Sequence, residues 1–146
     1  MLETIVQTPA GPVAQRVAAG IVDGKPVAVI EVENTGGVAI AVGAVVRPLR
    51  LHGRGYLSAV SVDGSGGAVE GSRTIRFESS PASVAVSDGA GVDLMSSLPE
   101  PGEGAGSAAT SCRSGGAQAA AIWPLPHTAT LRIVVELVSP LSLIHI

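Results

Sequence analysis

The stretch that decides the fold is Thr130-Leu131-Arg132-Ile133-Val134-Val135-Glu136-Leu137. Successive side chains of an extended strand point to opposite faces, so its alternation of apolar and polar residues has the period of a strand. The side chains expected to face a core are Leu131, Ile133, Val135 and Leu137. Those expected to face solvent are Thr130, Arg132 and Glu136. The pattern predicts a half-buried β-strand.

Two earlier segments, Val27–Glu33 and Thr74–Glu78, show the same alternation. Their predicted inward residues are Ala28, Ile30, Val32, Ile75 and Phe77. Their predicted outward residues are Glu31, Glu33, Arg76 and Glu78. Valine, which supplies much of the apolar content, favours strands because its branched Cβ is stiff and packs well on a pleated surface.

Turn residues separate these runs. Asp23-Gly24 has the chemistry of a tight hairpin, because glycine reaches positive φ without a Cβ clash. Asn34–Gly37, Asp63–Gly67 and Ser87–Gly89 mark further turns. Short strands that recur with glycine-rich turns are typical of an antiparallel sandwich rather than of βαβ units. The fold class predicted for residues 1–140 is therefore an all-β antiparallel β-sandwich.

Four segments are harder to assign. Pro12–Ile21 fits both a helix and a strand, and its flanking residues favour the strand. Val38–Val46 is apolar on both faces, which predicts a central strand buried on each side. Leu98–Gly116 loses all periodicity and is rich in Pro, Gly, Ser and Ala, so it is expected to form a flexible, disordered surface loop within the domain. Ala117–Ala121, which follows it, could make a helical turn.

Composition and net charge limit the classes of partner that the chain is expected to bind. The chain has 146 residues, enough for one domain with a real core, and a net charge of −3. Without a basic stripe or a set of stacking aromatics, nucleic-acid binding is disfavoured. No apolar stretch is long enough for a spanning helix and no signal peptide is visible, so we expect no membrane partner and a cytoplasmic location. The single Cys112 can form no internal disulfide.

The last six residues, Leu141–Ile146, read as Leu-Ser-Leu-Ile-His-Ile. These residues resemble the translation of a transposase end sequence that is ligated to DNA fragments in shotgun libraries. We therefore expect residues 141–146 to be a non-native tail and the chain to be the front piece of a longer protein of metagenomic origin. The Gly-, Ala-, Val- and Arg-rich composition suggests GC-rich DNA of an actinobacterial type.

No common catalytic constellation is present in the sequence. There is no G-x-S-x-G elbow, phosphate-binding loop or C-x-x-C pair, and two well-separated histidines, His52 and His127, make no metal site. Glu31 and Glu33 would lie about 7 Å apart on one strand face, a spacing that suits glycoside chemistry. Alternating glutamates on an outward face more often solvate a sheet. We assign no catalytic residue, no metal ligand and no cofactor.

The most specific local cluster is Trp123-Pro124-Leu125-Pro126-His127, which two prolines make rigid. A functional interpretation is a sugar-stacking Trp123 beside a polar His127, with Tyr56 as a second aromatic. A structural interpretation is that Trp123 plugs one end of the sandwich. The structural interpretation is favoured, because a carbohydrate platform presents several aromatic faces and this chain has three aromatic residues in total.

The order of several motifs resembles a known family. These are Glu31-Val32-Glu33-Asn34-Thr35, the apolar strand that ends at Val46-Arg47-Pro48, the turn Val62-Asp63-Gly64, and the segment Pro124–Arg132. Together they resemble the N-terminal β-sandwich of actinobacterial proteins whose C-terminal half is a six-hairpin α/α toroid, similar to glycogen-debranching-type and rhamnosidase-type glycosidases. The resemblance covers most of Leu2–Pro140. It implies that the catalytic carboxylates lie in the toroid, so none is assigned here.

Three hypotheses follow. The leading one is a non-catalytic accessory domain of a larger glycoside-hydrolase-like protein, whose partner is the C-terminal catalytic-type domain and whose Val38–Val46 strand is partly an interdomain surface. The second is a free-standing carbohydrate- or protein-binding module, which exposure of Trp123 and Tyr56 on one flat or grooved surface would favour and burial of both would exclude. The third is an independent enzyme, which requires His127 to approach a carboxylate or nucleophile inside a pocket.

Overall fold

The chain folds into an all-β structure. The computed structural model describes residues 1–50, 53–90, 94–97 and 106–137. The strands are β1 (Leu2–Thr8), β2 (Gly11–Val22), β3 (Lys25–Asn34), β4 (Ile40–Val46), β5 (Leu49–Arg50), β6 (Gly53–Arg54), β7 (Ala59–Asp63), β8 (Gly66–Val69), β9 (Ser72–Phe77), β10 (Ser83–Ser87), β11 (Ala108–Ser111), β12 (Gln118–Leu125) and β13 (Thr130–Glu136). One short 3₁₀ helix, η1, spans Leu94–Ser97.

Two sheets of unequal size form the layers of a sandwich. The large sheet has eight strands in the order β1-β2-β3-β13-β9-β8-β7-β11, and the small sheet has the order β10-β12-β4. A separate pair, β5 and β6, completes the described strands. All of these strand pairings are antiparallel. The predicted antiparallel β-sandwich is confirmed.

Side-chain alternation places most of the predicted core residues of β13 inside, but Leu137, also predicted to face the core, lies after the strand and is 44% exposed. β13 lies between β3 and β9, and its Leu131 and Ile133 are buried while Arg132 is outside. The strand prediction for Pro12–Ile21 is also confirmed, since this segment lies within β2. Asp23 and Gly24 connect β2 to β3 with φ values of 52° and 74°, as a two-residue turn of type I′ requires.

The interior between the sheets is apolar and incompletely filled. Phe77 of the large sheet meets Trp123 of the small sheet edge to face, with ring centroids 4.8 Å apart. Elsewhere small residues line the interface, including Ala44, Ala119 and Ala121, and an apolar cavity of about 130 Å³ lies among them. The alanines therefore leave room that larger side chains would occupy.

The strand of the small sheet that has buried side chains on both faces is β12, not β4. The prediction of a central strand at Val38–Val46 is wrong, because β4 begins at Ile40, lies at an edge of its sheet and alternates between half-buried and exposed residues. β12 is central instead. Its Ala119 and Ala121 face the core, and its Ala120 packs with Ala85 and Leu94 on the other side.

Two sequence assignments change between residues 98 and 121. Residues 98–105 of the predicted loop lie outside the described residues, but Ala108–Ser111 forms β11 and pairs with β7. The possible helical turn at Ala117–Ala121 is instead part of β12. Alanine has a high helix propensity, but tertiary context overrides propensity, and here pairing with β10 and β4 makes the segment a strand. The tail, residues 141–146, also lies outside the described residues.

Candidate functional site

Trp123 does not form an exposed platform. It lies within β12, not at its start, and its side chain is 3% exposed. The indole Nε1–H donates a hydrogen bond of 2.9 Å to the carbonyl oxygen of Ser79, and the ring packs against Phe77. Both ends of the indole are thus engaged inside the sandwich, so this side chain contributes packing and one buried hydrogen bond.

Tyr56 is exposed, and it lies apart from Trp123. Its side chain is 60% exposed, and its hydroxyl donates a hydrogen bond of 2.9 Å to the Arg113 carbonyl oxygen. The ring lies against Gly115, whose φ is 78°. Any Cβ at Gly115 would overlap the ring, so glycine is required there for two reasons. Tyr56 presents a single aromatic face to solvent, not one half of a pair with Trp123.

His127 forms a hydrogen bond to a loop at one end of the sandwich. It is exposed in the turn after β12, and its Nδ1–H donates to the Gly36 carbonyl oxygen. The Thr128 amide, next in sequence, donates a 2.9 Å hydrogen bond to the Asn34 carbonyl oxygen. His127 therefore contacts the backbone of the β3–β4 connection. No ion pair joins it to a carboxylate in the described part of the chain.

Asn34 organises the same end of the molecule, and sequence reasoning treated it as a turn residue alone. Its side chain is fully buried and joins the two sheets. The Nδ2 group donates to the carbonyl oxygens of Val38, at 2.8 Å, and Leu125, at 2.9 Å. Its Oδ1 accepts the Gly36 amide at 3.0 Å. We call Asn34, Gly36 and His127 the clasp. Its hydrogen bonds join parts of the fold to one another.

The outer face of the large sheet carries an alternating row of charges. The ion pairs are Arg16–Glu3 at 2.6 Å, Arg16–Glu33 at 2.7 Å, Arg132–Glu31 at 2.7 Å and Arg132–Glu78 at 3.1 Å. The hydrogen bonds that Arg16 donates to Glu33 and Glu3 raise its pKa, and the hydrogen bond that Arg132 donates to Glu31 raises the pKa of Arg132. Because Glu31 and Glu33 are occupied by arginines on an open face, they form no substrate-enclosing pair.

Two other carboxylates stabilise turns. Asp63 accepts the amides of Ser65 and Gly66 and pairs with Arg73. The bonds from Ser65, first its backbone and then its hydroxyl, lower the pKa of Asp63 well below its usual range, and Arg73 adds to this. The Ser58 hydroxyl and amide lower the pKa of Glu70 in the same way. Hydrogen bonding to the charged form is the cause in both cases.

Cys112 is a partly exposed thiol near Tyr56. Its Sγ lies 3.0 Å from the Ser114 hydroxyl. That hydrogen bond, followed by one from the Gly116 amide, lowers the pKa of the Cys112 thiol. Among the described residues, no group of three or more His, Cys, Asp or Glu side chains could hold a metal ion.

The outer face of the small sheet differs from that of the large sheet. The outward residues of β4 are Ala41, Gly43 and Val45, all exposed, and Val45 is 42% exposed. The β12 residues opposite the first two of these, Pro124 and Ile122, are also apolar. We call these five residues the β4 surface. It contains no charged side chain, whereas the large sheet carries a row of ion pairs.

A groove runs beside the β4 surface. It has a volume of about 460 Å³ and lies between β4 and the inner faces of β1, β2 and β3. The lining includes Val6, Val13, Ile30, Val32 and Val42. Val6 is 45% exposed because the large sheet extends past the small one at β1. The apolar area left uncovered on this side of the sandwich is therefore continuous from β1 to β4.

Comparison of the chain with protein-family models, curated proteins and solved structures gives no match. Within the described residues, no helix has the length and apolar character needed to cross a membrane.

Proposed function

We propose that this chain is a non-catalytic accessory β-sandwich domain of a larger, cytoplasmic glycoside-hydrolase-like protein, and that the β4 surface packs against the catalytic-type domain. The observation that carries the proposal is the contrast between the two outer faces. The outer face of the large sheet carries ion pairs such as Arg16–Glu33 beside the exposed Ile5. The β4 surface is apolar and exposed. Exposed contiguous apolar patches mark interaction sites.

The positions of two of the three candidate binding residues also support a structural role. Trp123 is inside the core, and His127 belongs to the clasp. Glu31 and Glu33, the two carboxylates whose spacing would suit sugar chemistry, are paired with Arg132 and Arg16 respectively. The glycosidase part of the proposal rests on the sequence resemblance, in which hydrolysis belongs to the toroid.

A charge placed on the β4 surface tests the proposal. In the uninterrupted protein, Val45→Glu should weaken docking, because burying an unpaired carboxylate is costly. The expected result is faster proteolytic cleavage between the domains and two separate thermal transitions in place of one. Gln7→Glu on β1, an exposed strand of the charged sheet, is the matched control. The proposal is wrong if Val45→Glu behaves like Gln7→Glu.

A carbohydrate-binding module is the second candidate, and the exposed ring of Tyr56 favours it. A polar hollow of about 350 Å³, lined by Arg47, Asp88 and Gln118 among others, shares Gly115 with the ring's contacts. Titration with oligosaccharides should shift the Tyr56 ring signals in the NMR spectrum if this candidate is right. The shifts should vanish in Tyr56→Ala. Spectra that do not change at millimolar oligosaccharide would rule out the carbohydrate-binding module.

A further inference from the structure

The cavity between the two sheets is lined by apolar side chains from both layers. Ala44 of β4 and Ala121 of β12 lie directly opposite each other on paired strands, and both face the interior. Ser61 carries the only polar side chain among the described lining residues. It lies between the inward-facing Val60 and Val62 on β7, so its hydroxyl points away from the cavity. An ordered water needs two to four polar partners, so the space suits a hydrocarbon group rather than water.

The volume of the cavity matches that of a small organic group. It measures about 130 Å³, and an apolar cavity of about 150 Å³ in another protein binds benzene. A hydrocarbon group of about six carbon atoms therefore fits. The register between β8 and β9 shifts between Gly67 and Ala68, and both residues line the cavity. Such a bulge bends its strand and is frequent beside active sites.

The cavity borders an opening to solvent. The opening has a volume of about 870 Å³ and shares four lining residues with the cavity, namely Val45, Val46, Ile75 and Val135. The last three of these pack against the core and are nevertheless only half-buried. This end of the sandwich, between β4, β9 and β13, is therefore the route by which a small ligand would reach the cavity.

The opening favours an anionic group at its edge. Arg47 lines it, is exposed, and forms no ion pair within the described part of the chain. Two acids also line the opening, but both have partners. Glu136 pairs with Lys25 at 3.0 Å, and Glu70 accepts hydrogen bonds from the Ser58 amide and hydroxyl. A carboxylate at Arg47 would gain a charge-assisted hydrogen bond.

We propose that the cavity binds the hydrocarbon chain of a short-chain carboxylic acid, whose carboxylate lies in the opening at Arg47. The chain would contact the ring of Phe77, which lines the cavity and packs against Trp123. The site lies between the sheets, whereas the β4 surface lies on the outside. The inference therefore goes beyond the proposed function and does not depend on it.

Titration of the 146-residue chain with hexanoate tests this inference. The methyl signals of Ala44 and Ala121 in the NMR spectrum should shift and saturate, with a dissociation constant on the order of 1 mM or lower for so small a ligand. The thermal midpoint of unfolding should rise, because a ligand that binds only the folded state stabilises it.

A variant that fills the cavity locates the site. Ala121→Val should weaken hexanoate binding at least about tenfold, because the chain and the added methyl groups would compete for one space. Ala41→Val makes the same change at an exposed position on the outer face of β4 and should leave binding unchanged. Urea denaturation shows whether Ala121→Val is folded, and Ala44→Val obstructs the same space from the neighbouring strand.

A second pair of variants tests the position of the carboxylate. Arg47→Gln should weaken hexanoate binding about two- to fivefold, the range expected for an exposed ion pair, and should leave the binding of benzene unchanged. Arg113→Gln removes another exposed positive charge, from a residue that does not line the opening, and is the matched control.

Saturable hexanoate binding that Ala121→Val removes and Arg47→Gln weakens supports the inference. Methyl signals that do not move at hexanoate concentrations well above the millimolar range overturn it and leave the cavity as a packing void only. Binding that both Ala121→Val and Ala44→Val leave unchanged overturns the location. Binding of benzene without binding of hexanoate, or equal effects of Arg47→Gln and Arg113→Gln, overturns the carboxylic acid as the ligand.

Discussion

Replacing Asn34 by alanine should destabilise the sandwich more than any other single polar substitution near the clasp. The Asn34 side chain makes three hydrogen bonds and is fully buried. A hydrogen bond contributes about 1 kcal/mol net, and a buried group left without a partner costs about 1–3 kcal/mol. Asn34→Ala removes three hydrogen bonds and deprives the buried Leu125 carbonyl oxygen of its side-chain donor. We therefore expect the free energy of unfolding to fall by about 3–5 kcal/mol. The free energy of unfolding of a typical domain is about 5–15 kcal/mol.

Urea denaturation followed by fluorescence gives a direct assay, since Trp123 is the single tryptophan and is buried in the core. Thr35→Val is the matched control. The Thr35 hydroxyl donates to the Pro12 carbonyl at 2.7 Å but is exposed, so its loss should cost less than about 1 kcal/mol. Asn34→Asp should be at least as harmful as Asn34→Ala at neutral pH, because a carboxylate would face two carbonyl oxygens. The reasoning is refuted if Asn34→Ala costs no more than Thr35→Val.

Three further predictions concern the cavity, one carboxylate and the thiol. Ala121→Val should raise the free energy of unfolding by about 1 kcal/mol, since it fills part of a 130 Å³ cavity and residual cavity volume costs about 24 cal/mol per Å³. Ala117→Val, at a fully buried site outside that cavity, should lower the free energy of unfolding. Equal effects of the two substitutions would contradict the prediction. Asp63 has a folded pKa below its unfolded value, so its stabilisation is present above about pH 4 and is lost as the pH falls further; Asp63→Ala should therefore show a smaller drop in urea midpoint between pH 5 and pH 2, and an unchanged drop would contradict the assignment. The pKa of Cys112 is lowered mainly by Ser114, so Ser114→Ala should move the pH midpoint of alkylation upward; no movement would show that the hydroxyl has no such effect.

The parts of the fold that depend on local pattern could be predicted from the sequence. β13, β3 and β9 follow from period-two alternation, and the Asp23–Gly24 turn follows from the need for positive φ at two adjacent residues. Each of these signals is contained within a few neighbouring residues. They were sufficient to predict two antiparallel layers.

The position of each strand within its sheet could not be predicted in this way. β4 and β12 are both apolar, and apolar composition does not reveal whether a strand has one neighbour or two. The alanines of β12 are compatible with a helix, and it is their pairing with β10 and β4, which lie far away in the sequence, that makes the segment a strand. Asn34 shows the same limit for polar groups: its turn chemistry is visible, but its bond to Leu125 joins residues 91 positions apart.

The two outer faces connect the fold to the proposed function. The ion pairs on the large sheet are partly exposed and each contributes little to stability, but they keep that face solvated. The β4 surface has no such charges. A sandwich with one charged outer face and one apolar outer face is suited to pack its apolar face against a second domain.

Under the proposed function, this sandwich packs against a catalytic-type domain of the same polypeptide and supports chemistry carried out there. Reading the native gene without interruption past the codon for Pro140 is the most direct measurement. We predict an open frame of several hundred codons that continues into paired helices carrying acidic residues. A stop codon directly after a native Ile146 would contradict the proposal.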